Sequence, residues 1–322
     1  MKGIFPSAVI AGLCIASAAP AAPVPGTQAA TLPQHPGIYR FMIGDAKVTA
    51  LSDGTAAQDY HALLKGITPA KTDAALSYSF ELNPVQTSIN AFLVELGGRH
   101  ILIDTGTGSL FGKQTAGRLI GALAEAGITP DQIDDILLTH VHADHMGGLV
   151  QGGKVMFPKA IVHFGKPDMA FFVDPVVRGQ PHGNAELSKM ATDMLKPYVD
   201  AAKVATFSAV TEIVPGLTAI PHPGHTPGSA FYALESKGQR IVFVGDIVHA
   251  AAVQFGQPEV SIAYDAEPAL AIAVRKRAFA EYAANRTLIA APHLSFPGVG
   301  HVRMAGSAYE WVPIEYADWP NK

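Results

Sequence analysis

The chain has 322 residues, 48% hydrophobic and 16% charged, a balance that suits one large α/β domain or two small ones and excludes a disordered chain. A formal net charge of -4, with no block of Lys or Arg, excludes nucleic acid as the main partner. Cys14 is the sole cysteine, so a disulfide framework is excluded as well.

In chain order, Lys2, the apolar stretch Ile4 to Ala16 and the small residues Ala16-Ser17-Ala18 or Ala19-Pro20-Ala21 read as a cleavable export signal over residues 1–21, cut near 18–22. The stretch is short and holds Pro6 and Gly12, which disfavours a membrane anchor. A Pro/Ala/Gly-rich linker follows over 22–37, then a single domain over 38–322. The expected destination is the periplasm or the exterior. A cleaved chain would lose Cys14, and with it any thiolate nucleophile or Cys metal ligand.

Tyr39 to Leu51 predicts two short strands turning at Gly44-Asp45, with a second turn at Asp53-Gly54. Residues 55–80 read as a loop with one short helix. Ser88–Leu96 and His100–Asp104 flank Gly97-Gly98 as a hairpin. Residues 117–127 place Leu119, Ile120, Leu123 and Ala124 on one helical face, stopped by Gly127. Further strands are expected at 160–164, 217–221, 230–234, 240–244 and 288–291, and helices at 166–172, 186–202 and 268–284. The pattern predicts an α/β fold of two mixed sheets packed face to face with helices outside, a four-layer αββα sandwich.

The densest chemistry is His140-Val-His142-Ala-Asp144-His145, between the apolar run Ile136–Thr139 and Met146-Gly147-Gly148. Four potential ligands within six residues at a strand end, followed by glycines, can converge on a metal ion instead of alternating across a sheet. His225 lies in the Pro/Gly-bound segment 221–228, Asp246 follows the apolar run 241–245, and His293 follows 288–291. Singly, each fits a hydrogen-bonded loop histidine or a helix-capping aspartate. Jointly, three more ligand types at strand ends point to a metal centre.

These motifs, HVHADH, GHTPGS, the Gly-Asp after a strand and the final His, resemble the metallo-β-lactamase superfamily over nearly the whole chain beyond the linker. The resemblance implies that His140, His142 and His225 hold one metal, that Asp144, His145 and His293 hold the other, and that Asp246 bridges them. Asp104 would orient ligands without binding metal. Within the superfamily, residues 50–55, 252–255 and 293–298 are similar to the methyl parathion hydrolase group, which includes organophosphate triesterases and aryl lactonases.

The implied activity is that of an exported hydrolase in which two divalent ions, zinc first and Mn2+, Co2+ or Fe2+ as alternatives, share a hydroxide. The expected substrates are small lactones or aryl esters of the dihydrocoumarin kind, with weak organophosphate turnover. Alternatives are a phosphotriesterase, a β-lactam hydrolase or a non-catalytic metal-binding module. Asp144 would manage the hydroxide's proton, and His249, three residues after Asp246, could donate to a departing oxygen. That role tilts the expectation towards lactones, because a nitrophenolate leaves without an acid. Leu63, Leu64, Phe111, Phe172, Ile262, Tyr264 and Phe296 are the candidate pocket wall, Ile262 and Tyr264 foremost because their alternation puts both on one side. The resemblance also implies a homodimer.

Overall fold

The computed structural model describes residues 37–112, 115–173 and 185–317. The expected export signal, its cleavage site and nearly all of the linker lie outside these residues. Two seven-stranded sheets form the centre. The first holds β1 (Ile38–Ile43), β2 (Ala46–Gln58), β3 (Val85–Leu96), β4 (Arg99–Ile103), β5 (Asp135–Leu137), β6 (Ile161–Gly165) and β7 (Val204–Phe207). The second holds β8 (Thr211–Val214), β9 (Leu217–Pro221), β10 (Ala230–Ser236), β11 (Gln239–Phe243), β12 (Leu288–Ala290), β13 (Val299–Ala305) and β14 (Ala308–Pro313). In both sheets the spatial order follows the chain order. Pairing is antiparallel except from β4 to β7 and between β11 and β12, so both sheets are mixed.

Side-chain alternation builds three cores. In β4, Ile101 and Ile103 point between the sheets while Leu102 points outward. In β10, Tyr232 and Leu234 face the first sheet while Phe231 and Ala233 face away. Three helices cover the outer faces, and one packs into a side cluster with Tyr60 and Val253. Helix α1 (Pro69–Tyr78) starts at the Thr68 cap; α2 (Leu119–Ala126) and α3 (Ala185–Asp200) cover the first sheet; α4 (Pro268–Asn285) covers the second. Each sheet therefore buries both faces, which is why its strands read as nearly continuous apolar runs. The four-layer αββα arrangement is the expected one.

Three local expectations change. Residues 55–80, read as a loop with one short helix, hold the end of β2, a helical turn at Tyr60–Leu63, a short strand at Leu64–Lys65 and α1. The turn at Asp53-Gly54 is instead a bulge inside β2, where the register shifts between Ser52 and Gly54. The Asp53 carboxylate there accepts from Thr107 N–H and Oγ1, Gly117 N–H and Leu119 N–H, anchoring the segments after β4 and before α2. Strands β7, β8, β13 and β14 were not expected. They lie at or next to sheet edges, where one face stays wet and the apolar signal thins.

The topology also sets where chemistry can occur. Strands β4, β5, β6, β9, β11 and β12 all finish at the same end of their sheets. Loops leaving parallel strands at that end are free to carry polar side chains over a buried core. The sheets are joined there by Ala230 N–H to the Thr139 carbonyl at 2.9 Å and Tyr232 O–H to the Leu138 carbonyl at 2.7 Å.

Candidate metal centre

The loop after β5 brings down His140, His142, Asp144 and His145, the last two on the helical turn Ala143–Met146. Gly148 makes this loop possible, since a Cβ there would lie 2.0 Å from the Thr105 carbonyl oxygen. His225 comes from the loop after β9, Asp246 from the turn after β11 and His293 from the loop after β12. Gly245, at φ +52, tucks under Thr139 and turns Asp246 inward.

Ligand atoms of His140, His142, His225 and Asp246 lie within 4.8 Å of one another, and so do those of Asp144, His145 and His293. Asp246 sits between the groups. Its Oδ2 is 3.2 Å from both His225 Nε2 and His293 Nε2 and 3.6 Å from His140 Nε2, while its Oδ1 is 3.3 Å from His145 Nε2. His142 presents Nδ1, 2.9 Å from His140 Nε2 and 3.1 Å from His225 Nε2.

The outward ring nitrogens are held from behind. His145 Nδ1–H donates to Asp104 Oδ2 at 2.8 Å, His225 Nδ1–H to Asp265 Oδ1 at 2.9 Å and His293 Nδ1–H to the Ser88 carbonyl at 3.0 Å. Each of these bonds fixes the tautomer whose Nε2 lone pair faces the cluster. Asp104 adopts a left-handed backbone at φ +59 and also accepts from Thr139 N–H and Oγ1. It therefore ties His145 to the Thr139 backbone.

Such packing fits divalent cations. His145 Nε2 and Asp246 Oδ1 are buried with no hydrogen-bond partner, and buried polar atoms are rarely left so. Imidazole lone pairs at 2.9–3.1 Å repel unless something positive lies between them. Ligands about 2.0–2.1 Å from a tetrahedral zinc ion stand at about this spacing from one another. Burial pushes His142 down to about 3 and His140 well below its ordinary value, so both stay neutral and available as ligands. Burial opposes the charged form of Asp246 too, yet the surrounding imidazoles hold it well below the carboxylate range.

His249 is buried beside the cluster. Its Nε2 is 3.1 Å from Asp246 Oδ2 and its ring stacks on His293 at 4.9 Å. Burial pushes it down to about 4, so this imidazole is neutral at pH 7. Its backbone is clamped, with N–H donating to Gln254 Oε1 and the carbonyl accepting from Tyr60 O–H.

A cavity of about 440 Å3 opens onto His142, Asp144, Asp246, His249 and His293. Phe111, Ile262 and Tyr264 line it, with Gln58, Tyr60, Thr87, Ala143, Leu187, Met190 and Ala263. The other four expected wall residues do not. Leu64, joined by Leu63, packs into a side cluster with Tyr60, Val253 and Ile262. Phe172 is buried in the helix-side core, edge-on to His142 at 5.7 Å, and Phe296 packs against the inter-sheet core. Apolar side chains gain more from a dry core than from a wet cleft. Sequence reasoning missed Asp265, Asp168, Tyr60, Leu187 and Met190; an aspartate after Lys-Pro or Tyr carries no pattern that marks it.

The family model of the metallo-beta-lactamase superfamily matches residues 85–281. Among curated proteins, the anti-Pycsar protein Apyc1 of Paenibacillus xerothermodurans is 34% identical over 149 residues, covering 45% of this chain and 54% of that protein. The chain spans about half the length of the curated relatives it matches. Among solved structures, hydrolase AbOPH of the beta lactamase superfamily superposes with a TM-score of 0.84 at 38% identity, over 89% of this chain and 100% of that one. AidC, a dizinc quorum-quenching lactonase solved with N-hexanoyl-L-homoserine as product, superposes with a TM-score of 0.79 over 88% and 99% of the two chains. At 23% identity, AidC bears on the fold alone.

Proposed function

The chain belongs to the metallo-β-lactamase superfamily, and from that premise we propose that it is a metal-dependent hydrolase of small, uncharged lactones and aryl esters, allied to the methyl parathion hydrolase group. The observation that carries the reading is the cavity. Among the described residues lining it there is no Lys or Arg, and aromatic and aliphatic side chains surround a floor of His and Asp. A phosphodiester or nucleotide would need cationic partners for its phosphate. A flat neutral ester needs apolar walls and a few polar atoms.

The seven ligand candidates would hold two divalent ions, His140, His142 and His225 on one side, Asp144, His145 and His293 on the other, with Asp246 between. When bound, such ions supply Lewis acidity and lower the pKa of water to near neutrality. The chain's own residues do the rest. Asp144 faces the cavity with its carboxylate 3.5 Å from His293 Nε2, where it can take a proton from attacking water. Phe111, Ile262 and Tyr264 hold the acyl or aryl body and exclude bulk water. His249 offers a neutral Nε2–H to a departing alkoxide. Export to the periplasm or exterior is part of the proposal, supported by the basic, apolar and small-residue order of residues 1–21.

The test is a panel on the zinc-loaded chain: dihydrocoumarin, an acyl-homoserine lactone, a paraoxon-type phosphotriester, nitrocefin and bis-nitrophenyl phosphate. The highest kcat/KM is expected on a lactone. A phosphotriester turned over far faster than every lactone would favour the second reading, a phosphotriesterase, for which a neutral substrate meets the same cavity, without Lys or Arg among its described lining residues. Efficient turnover of the charged diester would overturn both.

A further inference from the structure

We propose that Asp168 is the anionic brace of the three-histidine half of the site and sets how tightly that half holds its cation, independently of the other half. The inference rests on the metal-dependent reading above. Asp168 ends the helical turn Lys166–Asp168 that follows β6 and is fully buried. Its Oδ2 accepts from Val141 N–H at 3.0 Å and from Thr226 Oγ1 at 2.8 Å, and its Oδ1 accepts from Gly228 N–H at 2.6 Å. Val141 lies between His140 and His142, and Thr226 follows His225. One carboxylate thus ties together the two loops, one from each sheet, that carry all three histidines.

The tie is direct. A Cβ on Gly228 would lie 2.6–2.8 Å from Asp168 atoms, and one on Gly165 would lie 2.0 Å from the Gly228 carbonyl oxygen. No side chain larger than glycine's fits at either position without a shift of backbone.

Charge placement explains why an aspartate stands there. In the other half a carboxylate, Asp144, belongs to the ligand cluster, and Asp104 stands behind His145. The private ligands of the three-histidine half are all imidazoles and bring no negative charge, so beyond the shared Asp246 that charge must come from one layer further out. Asp265, behind His225, lies 4.0 Å from Arg275 Nη2, which offsets part of its field. Asp168 pairs with no Lys or Arg among the described residues. Its three hydrogen bonds satisfy the oxygens without cancelling the charge, and burial raises the carboxyl to about 6. An anion buried this way is costly until a cation arrives nearby. The three-histidine site is where that cation would arrive.

The experiment is a graded chelator titration of the full zinc-loaded chain, with bound zinc counted by mass spectrometry of the protein digest and repeated with cobalt to read the ligand-field bands. The wild type should release two equivalents in two steps. Asp168→Asn, which keeps the shape and removes the charge, should release one equivalent at about 10–100-fold lower chelator strength and the other unchanged. Asp104→Asn should weaken the other equivalent, and the double variant both. Far-UV circular dichroism of the metal-free proteins establishes that each is folded. If Asp168→Asn does not fold, Thr226→Val, which removes one donor and keeps the charge, should weaken the same single equivalent by a smaller factor. Equal weakening of both equivalents, or none in a folded variant, overturns the brace. A wild type that takes up no divalent cation overturns instead the reading beneath it.

Discussion

His249 is held from three directions, by Asp246 at its ring, Gln254 at its amide and Tyr60 at its carbonyl. A ring so fixed and neutral can either hold the carboxylate of Asp246 or share its Nε2–H with a departing oxygen. His249→Phe separates the two. With a share in the leaving group, kcat for alkyl lactones falls about 10²-fold or more while two zinc equivalents remain, and nitrophenyl esters change little. If zinc content drops with activity, the residue serves Asp246 alone. A second histidine gives a pH signature. His222 stacks on Phe231 at 3.9 Å, and burial, helped by Arg277, lowers it to about 4. Its folded value lies below its unfolded one, so its share of stability is present above pH 6.5 and lost as pH falls towards 4. The metal-free chain should lose Tm over that window, and His222→Phe should flatten the slope; an unchanged slope refutes the assignment.

At the scale of elements, one side chain of α4 holds two loops. Arg275 is fully buried, donating through Nε to the Ile247 carbonyl and through Nη1 to the carbonyls of Pro258 and Val260. It thereby connects the segment after Asp246 to the one leading to Ile262 and Asp265. Arg275→Met should cost about 3–5 kcal/mol in urea unfolding, because it strands buried carbonyls and leaves Asp265 without its cation. A loss below about 1 kcal/mol would show that water replaces the guanidinium. Elements also show where the sequence was readable. Strands buried on both faces, such as β4 and β11, stood out as apolar runs, whereas edge strands β8 and β14 did not. The bulge at Gly54 read as a turn because glycine after aspartate supports either, and only pairing with β3 decides.

For the whole molecule, the site is a joint between two sheets, with imidazoles and buried carboxylates converging from both. Metal removal should loosen that joint. A cation present at about 1,000 times its Kd adds about 4 kcal/mol to stability. For a domain of this size that corresponds to a Tm about 10 °C lower after chelation. Zinc should restore it and magnesium should not, since magnesium prefers oxygen ligands. An identical Tm with and without chelator would contradict the joint.

The sequence by itself determined the layer order and singled out the His and Asp side chains that cluster at the strand ends. Ligand chemistry is carried by rare residue types at strand ends, and layers follow from apolar periodicity, both local properties of the chain. Only the tertiary structure decided the pocket wall and the braces. Leu187 and Met190 face the cavity while Leu64, Phe172 and Phe296 lie in cores, though all are apolar residues in similar company. Asp168 and Asp265 look like ordinary turn aspartates until folding sets them behind His140, His142 and His225. A residue's type is written in the chain, but which surface it meets depends on segments up to two hundred residues away.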